Sequence, residues 1–263
     1  YIGATKIFQD DGKYHSWLKL ITDINEPDND EIKVASPSEL IEGEFYHKHP
    51  KEWSGKLPAS LDEAVYSFLL ANVIRDLRGD KQQPRTMMVN MSRFTKVQRY
   101  IKTYIEQLYK FIFDTVNIDF SNNDAKNKKL QIYQKFAQVW ERHYSHLGIP
   151  VEKVLQKNVL LESIGKIKVV VVNSSKDSDK LDYKGSTRII AIGGLALSRG
   201  LTLKGLMTSY FYRNTATYDV LLQMGRWFGY RNGYDDLCQI WAARDSVEYY
   251  KEISIATEEL KED

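Results

Sequence analysis

Apolar positions return at two different periods along this chain, and the change of period divides it. From Leu57 the spacing is helical: Leu61, Val65, Phe68, Leu69 and Val73 share a face, Ser60 stands where an N-cap belongs with Glu63 at the third helical position, and Gly79 stops the run. The same spacing predicts a long helix from Phe94 to about Thr115, through Val97, Ile101, Tyr104, Ile105, Leu108 and Phe111. It also predicts an amphipathic helix over Leu130 to His146 and a short one over Val151 to Leu161. Ser121 to Lys129, rich in Asn and Lys with almost no apolar content, reads as a solvated loop.

Elsewhere the apolar positions are continuous. Ile167 to Val172 is rich in β-branched residues and continuous rather than alternating, as in a strand covered on both faces of a parallel sheet. Thr86 to Met91, Arg188 to Ile192, Leu206 to Tyr212 and Leu237 to Trp241 follow the same style, with a helix expected over Tyr218 to Gly225. Strands alternating with helices from Met87 to Trp241 predict an α/β fold: an open, mostly parallel sheet between helical layers. Before Lys56 the chain is punctuated by turn formers such as Glu26-Pro27-Asp28-Asn29-Asp30 and Ser36-Pro37-Ser38, and reads as loops with short strands. The domain reading is therefore an irregular N-terminal region, 1–56, and an α/β domain, 57–263, with a helical insertion at about 94–165.

Composition narrows the function. The apolar runs fall short of the roughly 20 residues that span a bilayer, so no membrane segment is expected. Lys and Arg number 37 against 35 Asp and Glu, a net charge of +2, so any attraction to nucleic acid has to be local. The single Cys238, read as a buried strand residue, excludes an internal disulfide and fits a reducing, cytoplasmic setting. Tyr1 opens the chain without the features of a signal peptide, and reads as a cut within a longer polypeptide.

In open parallel sheets ligands bind in the crevice at the carboxyl ends of the strands. Two unusual segments are expected there. Gly193-Gly194-Leu195-Ala196-Leu197-Ser198-Arg199-Gly200-Leu201-Thr202 follows a strand directly, and its glycines, hydroxyls and Arg suit close approach to a phosphate; a tight turn that merely needs glycine is the structural alternative. Gln223-Met224-Gly225-Arg226-Trp227-Phe228-Gly229-Tyr230-Arg231 sets two arginines among aromatic residues, suited to a terminal phosphate or, structurally, to pairing with Asp235 and Asp236. Ser92-Arg93-Phe94-Thr95 with Gln98, after the strand Thr86 to Met91, offers a helix N-terminus and a cation to a phosphate; Ser92 and Thr95 serve equally well as helix caps.

The order of strand, glycine and hydroxyl loop with Arg, strand, and helix with Gln, Gly-Arg and a later Arg resembles the second RecA-like domain of superfamily two helicases. More closely, the chain resembles the Z-one domain family, found with such helicases in bacterial proteins often labelled putative endonucleases. The resemblance rests on Tyr1-Ile2-Gly3-Ala4, Leu57-Pro58-Ala59-Ser60-Leu61 with Phe68-Leu69-Leu70-Ala71, Arg78-Gly79, Val89-Asn90-Met91-Ser92-Arg93-Phe94-Thr95 with Gln98, Leu197 to Leu203, and Gln223 to Tyr230. It implies a three-layer RecA-like motor domain of a DNA-dependent ATPase in a bacterial restriction or defence system. In that scheme Gln223, Arg226 and Arg231 act on the nucleotide; Gly194, Ser198, Arg199, Gly200 and Thr202 bind it; and Ser92, Arg93 and Thr95 hold the nucleic acid. ATP and Mg²⁺ would be held mainly by an upstream P-loop domain, with DNA and a nuclease or methyltransferase subunit as partners.

Two departures qualify this. Gly225 follows Gln223 by two positions and Arg231 follows Arg226 by five, a spacing unlike the sixth motif of ordinary helicases, so either Arg can be the finger. No Gly-x-x-x-x-Gly-Lys-Ser/Thr loop occurs in the 263 residues. A scaffold domain that binds DNA or a partner without catalysis is the alternative reading. His47, His49, His143 and His146 read as surface or packing residues, and Asp177, Asp179 and Asp182 with Lys184 as an exposed loop, so no metal site is expected.

Overall fold

A computed structural model describes residues 5–122, 124–172, 186–194, 197, 203–212 and 232–262. Six parallel strands form one sheet in the order β1-β6-β5-β2-β4-β3, where β1 is Leu18–Ile21, β2 Arg85–Asn90, β3 Ile167–Val172, β4 Arg188–Gly193, β5 Leu206–Phe211 and β6 Gln239–Ala243. Every residue of β2, β4 and β5 is buried, which is why their sequences run apolar without alternation.

Two cores lie on the two faces of this sheet. Met87, Val89, Ile190 and Ile192 point to one, beneath α4 (Ala59–Leu77), α5 (Thr95–Asp119), α7 (Gln131–His143) and α9 (Lys157–Ile164). Met88, Ile189, Ala191 and Ile240 point to the other, where Ile7 and Phe8 of a short first helix, α1 (Thr5–Phe8), meet Tyr250 and Ile253 of the last, α10 (Arg244–Glu262). Phe8 stacks on Tyr250 with ring centroids 4.6 Å apart. The short helices α2 (Asn29–Val34), α3 (Pro37–Glu42), α6 (Asp124–Asn127) and α8 (Val151–Val154) decorate the connections.

Several elements differ from the sequence expectation. The segment before Lys56 is not wholly irregular: it contributes β1, which pairs in parallel with β6, and α2 and α3, each closed by a complete capping box. Ser60 is not the N-cap of α4. The helix begins at Ala59 after Pro58, and the Asp23 carboxylate, from far upstream, accepts the Ser60 N–H at 2.8 Å and its hydroxyl at 2.6 Å. Glu63 is thereby free to reach α7, where it meets Arg142 and His143. Gly79 does end α4, with φ of 84° and the two backbone bonds of a Schellman closure, Gly79 N–H to Asp76 and Asp80 N–H to Arg75. α6 occupies part of the expected loop at 121–129, and Val151 to Leu161 divides into α8 and the start of α9. The helix expected over Tyr218 to Gly225 lies outside the described residues.

The amino end of the sheet is fastened by charge. Arg85 and Arg188 open β2 and β4 side by side, both fully buried, around Asp76 near the end of α4. Arg85 also donates to the Asn72 and Asp80 carbonyls, Arg188 to the Ser163 carbonyl, and the Ser163 hydroxyl to Asp76.

Candidate nucleic-acid interface

Strand order locates the working edge. The chain leaving β2 travels to β3, beyond β4, whereas the chain leaving β4 travels to β5, beyond β2. Neighbouring strands that send their connections in opposite directions open a crevice between their carboxyl ends, the usual ligand position in open α/β sheets. Asn90, Met91 and Ser92 leave β2 there, and Gly193 and Gly194 leave β4.

These ends are knitted together. The Gln98 side chain, on the first turn of α5, donates to the Ser92 carbonyl at 2.9 Å. Gly194 lies against this turn: a Cβ there would stand 3.2 Å from Gln98 Nε2, 3.4 Å from the Ser92 carbonyl oxygen and 3.6 Å from Arg93 Cα. Asn90, fully buried, reaches the Gly194 carbonyl only at 3.5 Å, and its own Oδ1 accepts no hydrogen bond among the described residues. Ser92 Oγ accepts the Phe94 N–H at 3.1 Å, a turn just ahead of α5. Thr95 is the first residue of that helix and does not cap it; Phe94 holds the N-cap position without a side-chain bond. The Arg93 guanidinium lies over the Phe94 ring, 4.8 Å from its centroid, and has no carboxylate partner among the described residues.

A loop from the N-terminal segment closes over this edge. His47, Lys48 and His49 face Met91, Ser92, Arg93 and Phe94 across a cavity of about 250 Å³. His49 is buried among rings, 5.1 Å from Phe45, 5.6 Å from Phe94 and 5.9 Å from Trp53 between centroids. Burial holds its imidazole below the usual histidine range, and His47 and Arg93 add to this, against the Pro50 carbonyl at 2.9 Å from Nδ1. Lys48 is steadied by a neutral group, Asn29 Oδ1, at 2.9 Å. Glu26 ties the loop to the end of β5, accepting the His47 N–H at 2.7 Å and the Tyr212 hydroxyl at 2.8 Å on one oxygen. Burial, then that carboxylate, raises the Tyr212 phenol above its ordinary range, so it stays a donor.

Of the residues expected to hold nucleic acid, Ser92 and Arg93 therefore line a cavity, and Thr95 sits one residue beyond its lining. Gly194 is brought to the same edge. Ser198, Arg199, Gly200, Thr202, Gln223, Arg226 and Arg231 lie outside the described residues, as do Asp177, Asp179, Asp182 and Lys184. Asp236, weighed as a partner for the two arginines, is held by Arg78 through bonds of 2.8 and 2.6 Å. Cys238 is buried immediately before β6, its thiol 3.5 Å from the Tyr234 carbonyl. His47 and His49 were expected only at the surface or in packing, and their part in the cavity was missed; the available signal was a basic triplet enclosed by Phe45, Tyr46 and Trp53.

The described residues do not by themselves form a nucleotide site. Gly194 alone of the expected set is described, and no group of His, Cys, Asp and Glu among the described residues is placed to hold a metal ion. No helix among them is long and apolar enough to cross a membrane.

Fold and edge define an α/β protein with an all-parallel sheet and a cationic cavity beside the carboxyl end of β2. The model of the Z1 domain matches residues 60–263, and the chain belongs to that family, the Z-one family of the resemblance above. No curated protein and no solved structure matched the chain.

Proposed function

We propose that this chain is the second, RecA-like motor domain of a DNA-dependent ATPase of the superfamily two helicase type, working in the bacterial cytoplasm within a restriction or defence system. Arg226 and Arg231, with Gln223, would serve an ATP and Mg²⁺ site whose phosphate-binding loop belongs to another domain. Ser198, Arg199, Gly200 and Thr202, with Gly194, would form the adjoining nucleotide edge, and Ser92, Arg93 and Thr95 would hold the strand. A nuclease or methyltransferase subunit is the partner such a system calls for.

One observation supports this most: the turn after β2 and the glycine turn after β4 meet at the switch point, with Gly194 packed against Ser92, Arg93 and Gln98. A motor must couple a strand contact to a nucleotide contact, and the two expected segments adjoin there. The test is ATP hydrolysis by the polypeptide that carries the phosphate-binding loop, with and without DNA. Arg226→Ala together with Arg231→Ala should abolish hydrolysis; an active double variant would sink the assignment.

A scaffold reading is supported by a different observation, that the described residues of this chain already line a cationic cavity. Binding of DNA at full affinity without ATP, by a protein that never hydrolyses ATP, would select that reading.

A further inference from the structure

The His47-Lys48-His49 loop has no part in the motor pattern, yet it supplies three of the seven residues that line the cavity with Ser92 and Arg93. Among the described residues no carboxylate lines this cavity. Lys48 and Arg93 bring full positive charges into it, neither neutralised by an acid among the described residues. Ser92 is 2% exposed, and its oxygen accepts the Phe94 N–H. Its hydroxyl hydrogen has no acceptor among the described residues, an unmet donor inside a cationic cavity. The N-terminus of the 25-residue α5 begins three residues on, adding the positive end of a long helix. At about 250 Å³ the space is several times the roughly 30 Å³ share of one water molecule, enough for a phosphate with part of its hydration.

Charge, an unspent hydroxyl donor, and volume all suit a tetrahedral oxyanion. We infer that this cavity seats a backbone phosphate of a nucleic-acid strand, with Lys48 and Arg93 flanking it as cations and the Ser92 hydroxyl donating to it. The inference rests on the nucleic-acid half of the function proposed above. It adds a residue from the N-terminal segment, Lys48, which lies ahead of the family match at 60–263. Glu26 acts as a positioning residue, since it fixes the loop by accepting the His47 N–H. Burial disfavours the charged form of His49, and its place among the rings of Phe45, Trp53 and Phe94 makes it part of the cavity's packed wall.

The test is fluorescence anisotropy of the full chain with a labelled single-stranded oligonucleotide, without ATP, over a salt series. Lys48→Ala and Arg93→Ala should each weaken binding about tenfold, and each should reduce the slope of log affinity against log salt by about 0.7. Ser92→Ala should weaken binding with the slope unchanged. Lys110→Ala, whose lysine pairs with Asp114 on the outer face of α5, should bind as the parent does. Melting curves identify any variant that fails to fold. A parent that does not bind, or Lys48 and Arg93 variants that bind like Lys110→Ala, would overturn the inference. So would inorganic phosphate binding at micromolar concentration in a Lys48-dependent way without displacing the oligonucleotide, an outcome that assigns the cavity to a free anion. The motor proposal fails separately, through absent ATP hydrolysis, and that result leaves the anisotropy prediction standing.

Discussion

Arg85 and Arg188 stand opposite each other in register on β2 and β4, and both guanidiniums donate to the same atom, Oδ1 of Asp76, at 2.7 Å each. Two buried cations on one carboxylate oxygen make Asp76 the group the amino end of the sheet least tolerates losing. Burial pushes its carboxyl up, but the Ser163 hydroxyl and the two arginines outweigh this and hold it below the usual aspartate range. Removing one partner of a buried ionic group costs about 3–5 kcal/mol, because the charge left behind is uncompensated. Asp76→Asn should therefore lower the melting temperature by about 10 °C in a domain of this size. A variant melting with the parent would show that water already reaches the arginines.

Glu63 provides a pH-dependent contribution. The hydrogen bond with His143, helped by Arg142 and opposed by burial, pulls its carboxyl from an ordinary value near 4.5 down to about 2. A carboxyl depressed in the folded state stabilises fully above its unfolded value, and that stability is lost as pH falls from about 4.5 toward 2. Urea midpoints measured across that window should fall more steeply for the parent than for Glu63→Gln. The variant should also be the less stable at neutral pH. Parallel curves would mean that the link between α4 and α7 contributes nothing.

Gly79 and Gly205 both adopt positive φ, 84° and 66°, but their surroundings differ. Around Gly79 nothing lies within 4 Å of a would-be Cβ, so Gly79→Ala meets only the backbone strain of roughly 1–2 kcal/mol. At Gly205 a Cβ would also overlap the Pro84 carbonyl, just where the Gly205 carbonyl accepts the Thr86 N–H and fixes the entry to β5. Chemical denaturation should show Gly205→Ala costing clearly more than Gly79→Ala. Equal losses would mean that the β2–β5 entry moves aside freely.

The parts of this fold legible in sequence are those set by local patterning. The run Ile167 to Val172 announces a strand through its β-branched residues, but β3 lies at the edge of the sheet with Lys168 exposed and Val170 half-buried, so the expected cover on both faces is only partial; α4 and α5 follow from helical spacing. Other elements depend on distant partners. Ser60 looked like a cap because the sequence shows it beside its helix, and does not show Asp23 arriving to take its N–H and hydroxyl. β1 is four residues long, too short for a periodic signal, and is a strand only because β6 lies beside it. Arg85 and Arg188 interrupt no pattern, since each opens its strand, so their shared carboxylate was invisible. The candidate site divides in the same way. Ser92, Arg93 and Gly194 were found from their positions at strand ends, whereas Lys48 and His49 join them only once the loop folds over the end of β2.

β2 begins at Arg85, inside the ionic clamp, and ends at Asn90, two residues short of Ser92. Hydrogen-bonded on both sides to β4 and β5, it behaves mechanically as a strut embedded in a plate. A load placed on the turn at Ser92 along the strand would be passed through β2 toward Asp76 and shared with both neighbours through their ladder hydrogen bonds. The ionic clamp at Arg85 and the turn at Ser92 thus lie at opposite ends of one short tie, so a strand held at that turn, as inferred above, would be backed by the clamp through β2 itself.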